Sequence, residues 1–285
     1  MNIVSASVIY SVMFCSCCIT IALNGRLMIQ KWKRKFGSCN SQLEIQYYCI
    51  FFYFLFAVFN VLHSGYMIQA LHDEHRNHYI IFWTGNFSNA SIQVVGFGNA
   101  IIAIDRLCAM AAPFTYAKKY CNLMRRIYFS VVPLVSVTFF IINYLFVSKD
   151  WSSAIIFPHH VNIDAIYIHS VINMCACITD VAFTVLFLIM FRRFTKRQHH
   201  GVNDYCLKST RKANQLVIHQ MSLEVVIIII PTFITSVFQY GFGLPFPFII
   251  GPYPLLLIVV YTSACGLMYT LKMNVSSVHG VGPST

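Results

Sequence analysis

The chain has 285 residues, of which 58% are hydrophobic and 10% are charged, and its formal net charge is +11. Soluble domains carry about 25% charged residues, so the composition argues against a water-soluble fold. The positive charge does not indicate nucleic-acid binding, because the basic residues lie between apolar runs and not over one accessible face. The composition therefore predicts a membrane protein.

Apolar segments long enough to cross a bilayer recur along the whole chain. A transmembrane helix needs about 20 mostly apolar residues, because each residue advances it by about 1.5 Å. The first segment lacks the basic start and the small-residue cleavage site of a signal peptide, so we predict it to be a span. We predict an all-α membrane protein, a single seven-transmembrane helix bundle over residues 1–285. Its spans are residues 3–29, 43–70, 80–107, 127–147, 165–191, 216–240 and 252–271.

The basic residues predict the orientation of these spans. Lys and Arg in short loops are retained on the cytoplasmic side of a membrane. Every Lys and Arg except Arg76 and Lys149 falls in segments that seven alternating spans place on one side. The pattern predicts an extracellular N-terminus and a cytoplasmic C-terminus.

The third predicted span ends in a recognisable motif. From Asp105 to Tyr116 the sequence reads Asp-Arg-Leu-Cys-Ala-Met-Ala-Ala-Pro-Phe-Thr-Tyr. An Asp-Arg pair alone is expected about once by chance in a chain of this length. Together with Ala109, Pro113 and Tyr116 in register, the pair resembles the signature of rhodopsin-like G-protein-coupled receptors.

The resemblance implies a switch at the cytoplasmic face. Asp105 would neutralise Arg106 in one state, and Arg106 would be released when the sixth helix moves outward to admit a heterotrimeric G protein. Pro113 would end the helix, so that Tyr116 faces that partner. The simpler interpretation is an Arg that extends its charge to the membrane surface.

Three further positions resemble family residues as isolated matches, outside any longer motif. Asn24 in the first span resembles a family Asn, and we predict that it hydrogen-bonds the backbone of a neighbouring helix. Pro231 corresponds to the kinking proline of the sixth span, and Tyr269 corresponds to the tyrosine of the seventh.

Several family features are missing from the sequence. The second span has no Asp, the seventh lacks the Asn-Pro pair before Tyr269, and the outer segment from Ser148 to Asp164 has no Cys. With these departures the chain looks more like nematode serpentine chemoreceptors of classes x and xa. The resemblance implies a chemoreceptor in the plasma membrane, located in a sensory cilium if it is chemosensory.

Polar residues deep in the membrane form a second candidate site. A charged group at the bilayer centre costs roughly 2.5 to 3.5 kcal/mol, so Asp180 and Glu224 are predicted to face the bundle interior. Asn99 lies two helical turns before Arg106 and is predicted to share a polar network with them. The network is either a relay between the two faces or a static set of interhelical hydrogen bonds.

The residues of the ligand site are predicted only from their depth in the predicted membrane spans. We expect a small, largely apolar ligand in the outer half of the bundle, with Gln93, Asn173, Tyr240 and Tyr261 as lining residues. We predict no cofactor and no metal site.

The main rival function is a polytopic transporter or channel, because such proteins also carry acids within the membrane. Neither repeated halves nor broken helices are evident in the sequence. An enzyme is not predicted, because no His-x-x-x-His or Gly-x-Ser-x-Gly pattern occurs.

Overall fold

The computed structural model describes residues 3–33, 44–73, 75–112, 115–148, 151, 156–198, 205–242 and 252–278. Within these ranges the only β-pairing is an isolated bridge. π-Helical turns cover Tyr116–Tyr120 and Val225–Ile229, and a 3-10 turn covers Phe157–His160. The helices are α1 (Ile3–Lys33), α2 (Glu44–Ala70), α3 (His78–Ala111), α4 (Cys121–Leu145), α5 (Ile163–Gln198), α6 (Tyr205–Glu224), α7 (Ile230–Phe242) and α8 (Tyr253–Val278).

The helical membrane fold is confirmed. Six helices in the described part of the chain are long and apolar enough to cross a bilayer, and α6, its π-helical turn and α7 together supply one of them. The helix α5 has 36 residues and covers the predicted fifth span, but many of its side chains lie outside the description. The six helices are Ile3–Lys33, Glu44–Ala70, His78–Ala111, Cys121–Leu145, Ala213–Phe238 and Tyr253–Lys272.

The helix α3 is the centre of the bundle. It packs against α2, α4 and α5, while α1 packs against α2 and α8. In the most apolar part of α3, 61% of the residues are buried, against 22% in α4. Because α3 is enclosed on several sides, its polar residues must find partners within the protein.

Basic helix ends collect at one end of the bundle. At the end of α1, the Lys31 amine lies 4.2 Å from the ring centre of Tyr47 near the start of α2. Arg125 near the start of α4 forms an ion pair with Glu44, the first residue of α2. The end of α1 and the starts of α2 and α4 therefore lie together, as alternating helix directions require.

The opposite end is closed by the connection between α4 and α5. The helix α4 ends at Leu145, two residues before the predicted end of its span, because Val147 pairs with Val161 in an antiparallel bridge. The Ser148 amide donates a hydrogen bond of 2.8 Å to the His160 carbonyl. Backbone pairing thus holds together the two ends of this connection.

Two glycines of α3 allow close packing. A Cβ added at Gly85 would lie 2.6 Å from three atoms of Phe157, which packs over that turn of α3. At Gly98 it would lie 2.8 Å from the hydroxyl oxygen of Tyr128 on α4. Both positions need a residue without a side chain, whereas Gly96 has open space around it.

Candidate functional site

Asp105, Arg106 and Tyr116 form a closed cluster at the end of α3. Arg106 donates to the Asp105 carboxylate through Nε, at 2.8 Å, and through Nη2. The same Nη2 donates to the Tyr116 hydroxyl at 3.2 Å, and that hydroxyl donates to Asp105. Each of the three residues is at most 1% exposed, so the ion pair is shielded from solvent.

The geometry of this cluster depends on the turn after α3. Neighbouring residues on a helix do not face each other, so the Arg106 side chain must fold back to reach Asp105. Tyr116 begins the π-helical turn, and its amide donates to the Ala112 carbonyl at 2.8 Å. Burial raises the pKa of the Tyr116 hydroxyl, so it remains a proton donor to Asp105 at neutral pH.

Arg106 does not extend its charge to the membrane surface, so the simpler interpretation of this residue is wrong. Its guanidinium is fully buried and is held by an acid and a hydroxyl. The Nη1 atom has no hydrogen-bond partner among the described residues. The guanidinium therefore keeps unused donor capacity inside the protein.

A second polar cluster, the central network, lies in the middle of the bundle. The Asn99 side-chain nitrogen donates to Glu224 Oε1 at 2.6 Å and to the Tyr261 hydroxyl at 2.9 Å. The Tyr53 hydroxyl donates to Asn99 Oδ1 at 2.7 Å. The buried members come from α2, α3, α6 and α8, and they are Tyr53, Asn99, Gln220, Glu224, Tyr261 and Tyr269.

Gln220 connects Tyr269 to the rest of the central network. Its side-chain nitrogen donates to Asn99 Oδ1 at 2.7 Å and to the Tyr53 hydroxyl at 3.2 Å. Its oxygen accepts a bond of 2.5 Å from the Tyr269 hydroxyl. Tyr269 is thereby connected through Gln220 to Asn99, and this one amide side chain links α6 to α2, α3 and α8.

The central network and the arginine cluster share one face of α3. Asn99 precedes Arg106 by seven residues, which is about two turns and 10.5 Å along a helix. The spacing places Asn99 and Arg106 on the same side of α3. The two sites are thus stacked along one helix.

An irregular helix segment begins next to the network. Glu224 ends α6, and the π-helical turn Val225–Ile229 follows it directly. Pro231 cannot donate a backbone hydrogen bond, and its ring conflicts with the carbonyl of Ile227. A π-helical turn relieves this conflict by widening the helix. Pro231 therefore coincides with an irregularity, as its match to a kinking proline implies.

The prediction for Asn24 is wrong in one respect. Neither polar atom of its buried amide has a hydrogen-bond partner among the described residues. It packs against Gly266 of α8, where an added Cβ would lie 3.0 Å from Asn24 Oδ1. The facing Gly266 carbonyl already accepts a bond of 2.8 Å from Thr270. Asn24 thus contributes to helix packing without the expected backbone bond.

The structure describes the side chains of only some of the remaining predicted residues. Tyr261, expected to line a ligand pocket, lies in the central network, and Gln93 is buried on α3. Pro113 and the side chains of Asn173, Asp180 and Tyr240 lie outside the described part of the chain.

Sequence reasoning missed two network members, Tyr53 and Gln220. Gln220 precedes Glu224 by one helical turn, so both project from one face of α6, and this spacing was a usable signal. Tyr53 gave no such signal, because tyrosine is common throughout the apolar spans of this chain.

Within the described residues, no group of three or more His, Cys, Asp or Glu side chains is arranged to hold a metal ion. No known protein-family model matches this chain, and no curated protein matches it significantly.

Proposed function

We propose that this chain is a seven-transmembrane, rhodopsin-like receptor that couples to a heterotrimeric G protein at the end of the bundle that holds Arg106. The observation that carries the proposal is the buried cluster of Asp105, Arg106 and Tyr116 at the end of α3. Its position and composition fit a switch that is closed in this conformation.

The energetics of the cluster support a switch over a purely structural role. A buried ion pair costs several kcal/mol per ion in desolvation, and apolar residues of similar volume often stabilise a fold equally well. A guanidinium that is released from Asp105 can instead donate to a partner's backbone carbonyls. Arg106 already has one donor atom without a partner in the described chain.

The proposed topology has seven spans, an extracellular N-terminus and a cytoplasmic C-terminus. It adds α5 to the six apolar helices, since 36 residues are ample for one crossing. The basic ends of α1 and α4 lie together, as the topology requires for a cytoplasmic face.

The receptor is further proposed to be chemosensory, of the nematode serpentine kind, and to reside in the plasma membrane. Its ligand is a small, largely apolar molecule that binds in the outer half of the bundle. The abundance of Phe and Tyr and the few charged residues at that end favour such a ligand over a peptide.

The test is coupling in cells that express a panel of G proteins. Arg106→Ala is expected to reduce ligand-independent coupling to background at equal surface expression. The matched control is Arg126→Ala, which removes an exposed charge near the start of α4. Equal coupling by wild type and Arg106→Ala would contradict the proposal.

A transporter or channel remains the second candidate, because Glu224 places a carboxyl group in the core of an apolar bundle. It predicts a ligand-independent ion current that Glu224→Gln alters and Arg106→Ala does not. Recording currents from the same cells separates the two functions.

A further inference from the structure

A groove runs along the side of the bundle between α1 and α2. It encloses about 680 Å³, within the range of about 300 to 1,000 Å³ typical of small-molecule sites. The side chains along it are mainly apolar, and two basic side chains stand among them near the end of α1.

Small residues create the recess. Ala22, Gly25 and Ile29 follow one another at helical spacing along one face of α1, and Phe54 of α2 forms the opposite wall. A Cβ added at Gly25 would lie 3.6 Å from the Phe54 ring, an ordinary contact distance. Ile29 is 57% exposed, so the groove opens sideways from the bundle.

Arg26 and Lys33 supply the positive charge of the groove. They are seven residues apart, about 10.5 Å along the same face of α1. Neither forms an ion pair with a described side chain, whereas nearby Arg125 pairs with Glu44. An Arg close to the membrane is costly without an anionic partner.

The groove reaches from the acyl-chain region to the headgroup region. The uncharged stretch of α1 extends to Gly25, just before Arg26. Trp32 is 85% exposed, and tryptophan is enriched at the level of the lipid headgroups. Arg26 and Lys33 therefore lie around the boundary where lipid phosphates are found.

We propose that this groove binds one acidic phospholipid. An acyl chain lies along Ala22, Gly25 and Ile29, and the anionic headgroup pairs with Arg26 and Lys33. A zwitterionic headgroup adds a cation beside two existing cations, and a sterol hydroxyl neutralises neither. Acidic lipids are concentrated in the cytoplasmic leaflet, so the site rests on the proposed topology of α1.

Lipid titration of the purified full-length protein tests the charge contribution, with bound lipid counted by native mass spectrometry. Phosphatidylserine is expected to bind in preference to phosphatidylcholine. Arg26→Ala and Lys33→Ala are each expected to weaken phosphatidylserine binding about fivefold. Arg126→Ala removes an exposed charge outside the groove and is expected to leave binding unchanged.

A second variant pair tests the acyl-chain contacts. Ala22→Phe fills the groove and is expected to remove one tightly bound lipid. The control Val12→Phe introduces the same side chain on α1 at a position that is 44% exposed and outside the groove.

Three results would overturn the assignment: equal binding of the two phospholipids, equal loss in Arg126→Ala and Arg26→Ala, or full binding by Ala22→Phe. Displacement of the lipid by cholesterol at equal concentration would also overturn it. The assay contains no G protein, so failure of coupling and failure of this site are separate outcomes.

Discussion

The side-chain nitrogen of Asn99 donates a hydrogen bond of 2.6 Å to the Glu224 carboxylate in the core of the bundle. The bond joins the central helix α3 to the last residue of α6, directly before the π-helical turn. A change at either residue therefore alters both the network and the point where the helix becomes irregular.

Two substitutions of Glu224 distinguish the contribution of its hydrogen bond to stability from that of its charge. Glu224→Ala is expected to lower the free energy of unfolding by about 0.6 to 3 kcal/mol, because one N–H of the Asn99 amide loses its buried acceptor while the bond to Tyr261 remains. Glu224→Gln keeps an acceptor oxygen and is expected to cost less. Thermal unfolding in detergent measures both, and an equal loss in the two variants would contradict the hydrogen-bond explanation.

The cluster of Asp105, Arg106 and Tyr116 predicts different losses of folding stability for substitutions at its members. Asp105→Ala leaves the buried Arg106 cation without its counter-ion and is expected to cost about 3 to 5 kcal/mol. Tyr116→Phe removes only a hydroxyl and is expected to cost about 0.5 to 1.5 kcal/mol. Chemical denaturation compares the two, and a larger loss in Tyr116→Phe would show that the ion pair is not the dominant contact.

The packing of α3 on α4 predicts different effects at two nearby glycines. Gly98→Ala places a methyl group 2.8 Å from the Tyr128 hydroxyl and is expected to cost about 1 to 3 kcal/mol. Gly96→Ala meets no atom within 4 Å and is expected to be neutral or stabilising. Melting temperatures of the two variants make the comparison.

A second substitution checks the cause of the Gly98 effect. The next nearest Tyr128 atom lies 3.5 Å from the added Cβ, so Tyr128→Phe removes the close contact. The double variant is expected to recover most of the stability that Gly98→Ala loses. No recovery would exclude the Tyr128 hydroxyl as the cause.

The loop between α4 and α5 is expected to lose stability in acid. Burial, together with the neighbouring His78 and His159, lowers the pKa of His160 from an ordinary value of 6.5 to about 4. The His160 ring contacts the Ile156 carbonyl at 3.1 Å and the His78 ring at 3.3 Å. Between pH 6.5 and 4, His160 is therefore protonated in the unfolded loop and neutral in the folded loop. Stability falls as pH decreases through this window, by at most about 1.4 kcal/mol per pH unit for this proton.

The local readout is the fluorescence of Trp151, whose ring centre lies 5.3 Å from that of His160. Unfolding midpoints and Trp151 emission measured from pH 7.5 to 4.5 should change together in wild type. His160→Gln should flatten the dependence, whereas His72→Gln, at an exposed position, should preserve it. A pH profile unchanged by His160→Gln would assign the effect to another group.

The sequence was sufficient for the helical membrane fold, because apolar runs of spanning length are independent of packing detail. It also predicted a polar network of Asn99 with Asp180 and Glu224, because buried polar groups need partners within the protein. Asn99 and Glu224 are hydrogen-bonded, whereas the Asp180 side chain lies outside the described part of the chain. The sequence did not predict that Gln220 bridges Asn99 and Tyr269, because that contact depends on the rotation of α6 about its own axis.

Asn24 shows a different limit of sequence reasoning. Its burial follows from its position in an apolar span, but hydrogen bonding depends on which carbonyls of the facing helix are already engaged. Likewise, the end of α4 at Leu145 is set by the pairing of Val147 with Val161, a contact distant in sequence.

The loop between α4 and α5 is held by backbone pairing and by the stacking of Trp151 on Phe82, and the segment from Ser148 to Asp164 has no cysteine. None of the described cysteines forms a disulfide. Cell-free synthesis with dithiothreitol present should consequently yield the same loop conformation as synthesis in an oxidising compartment. The folding of this loop therefore does not depend on disulfide formation.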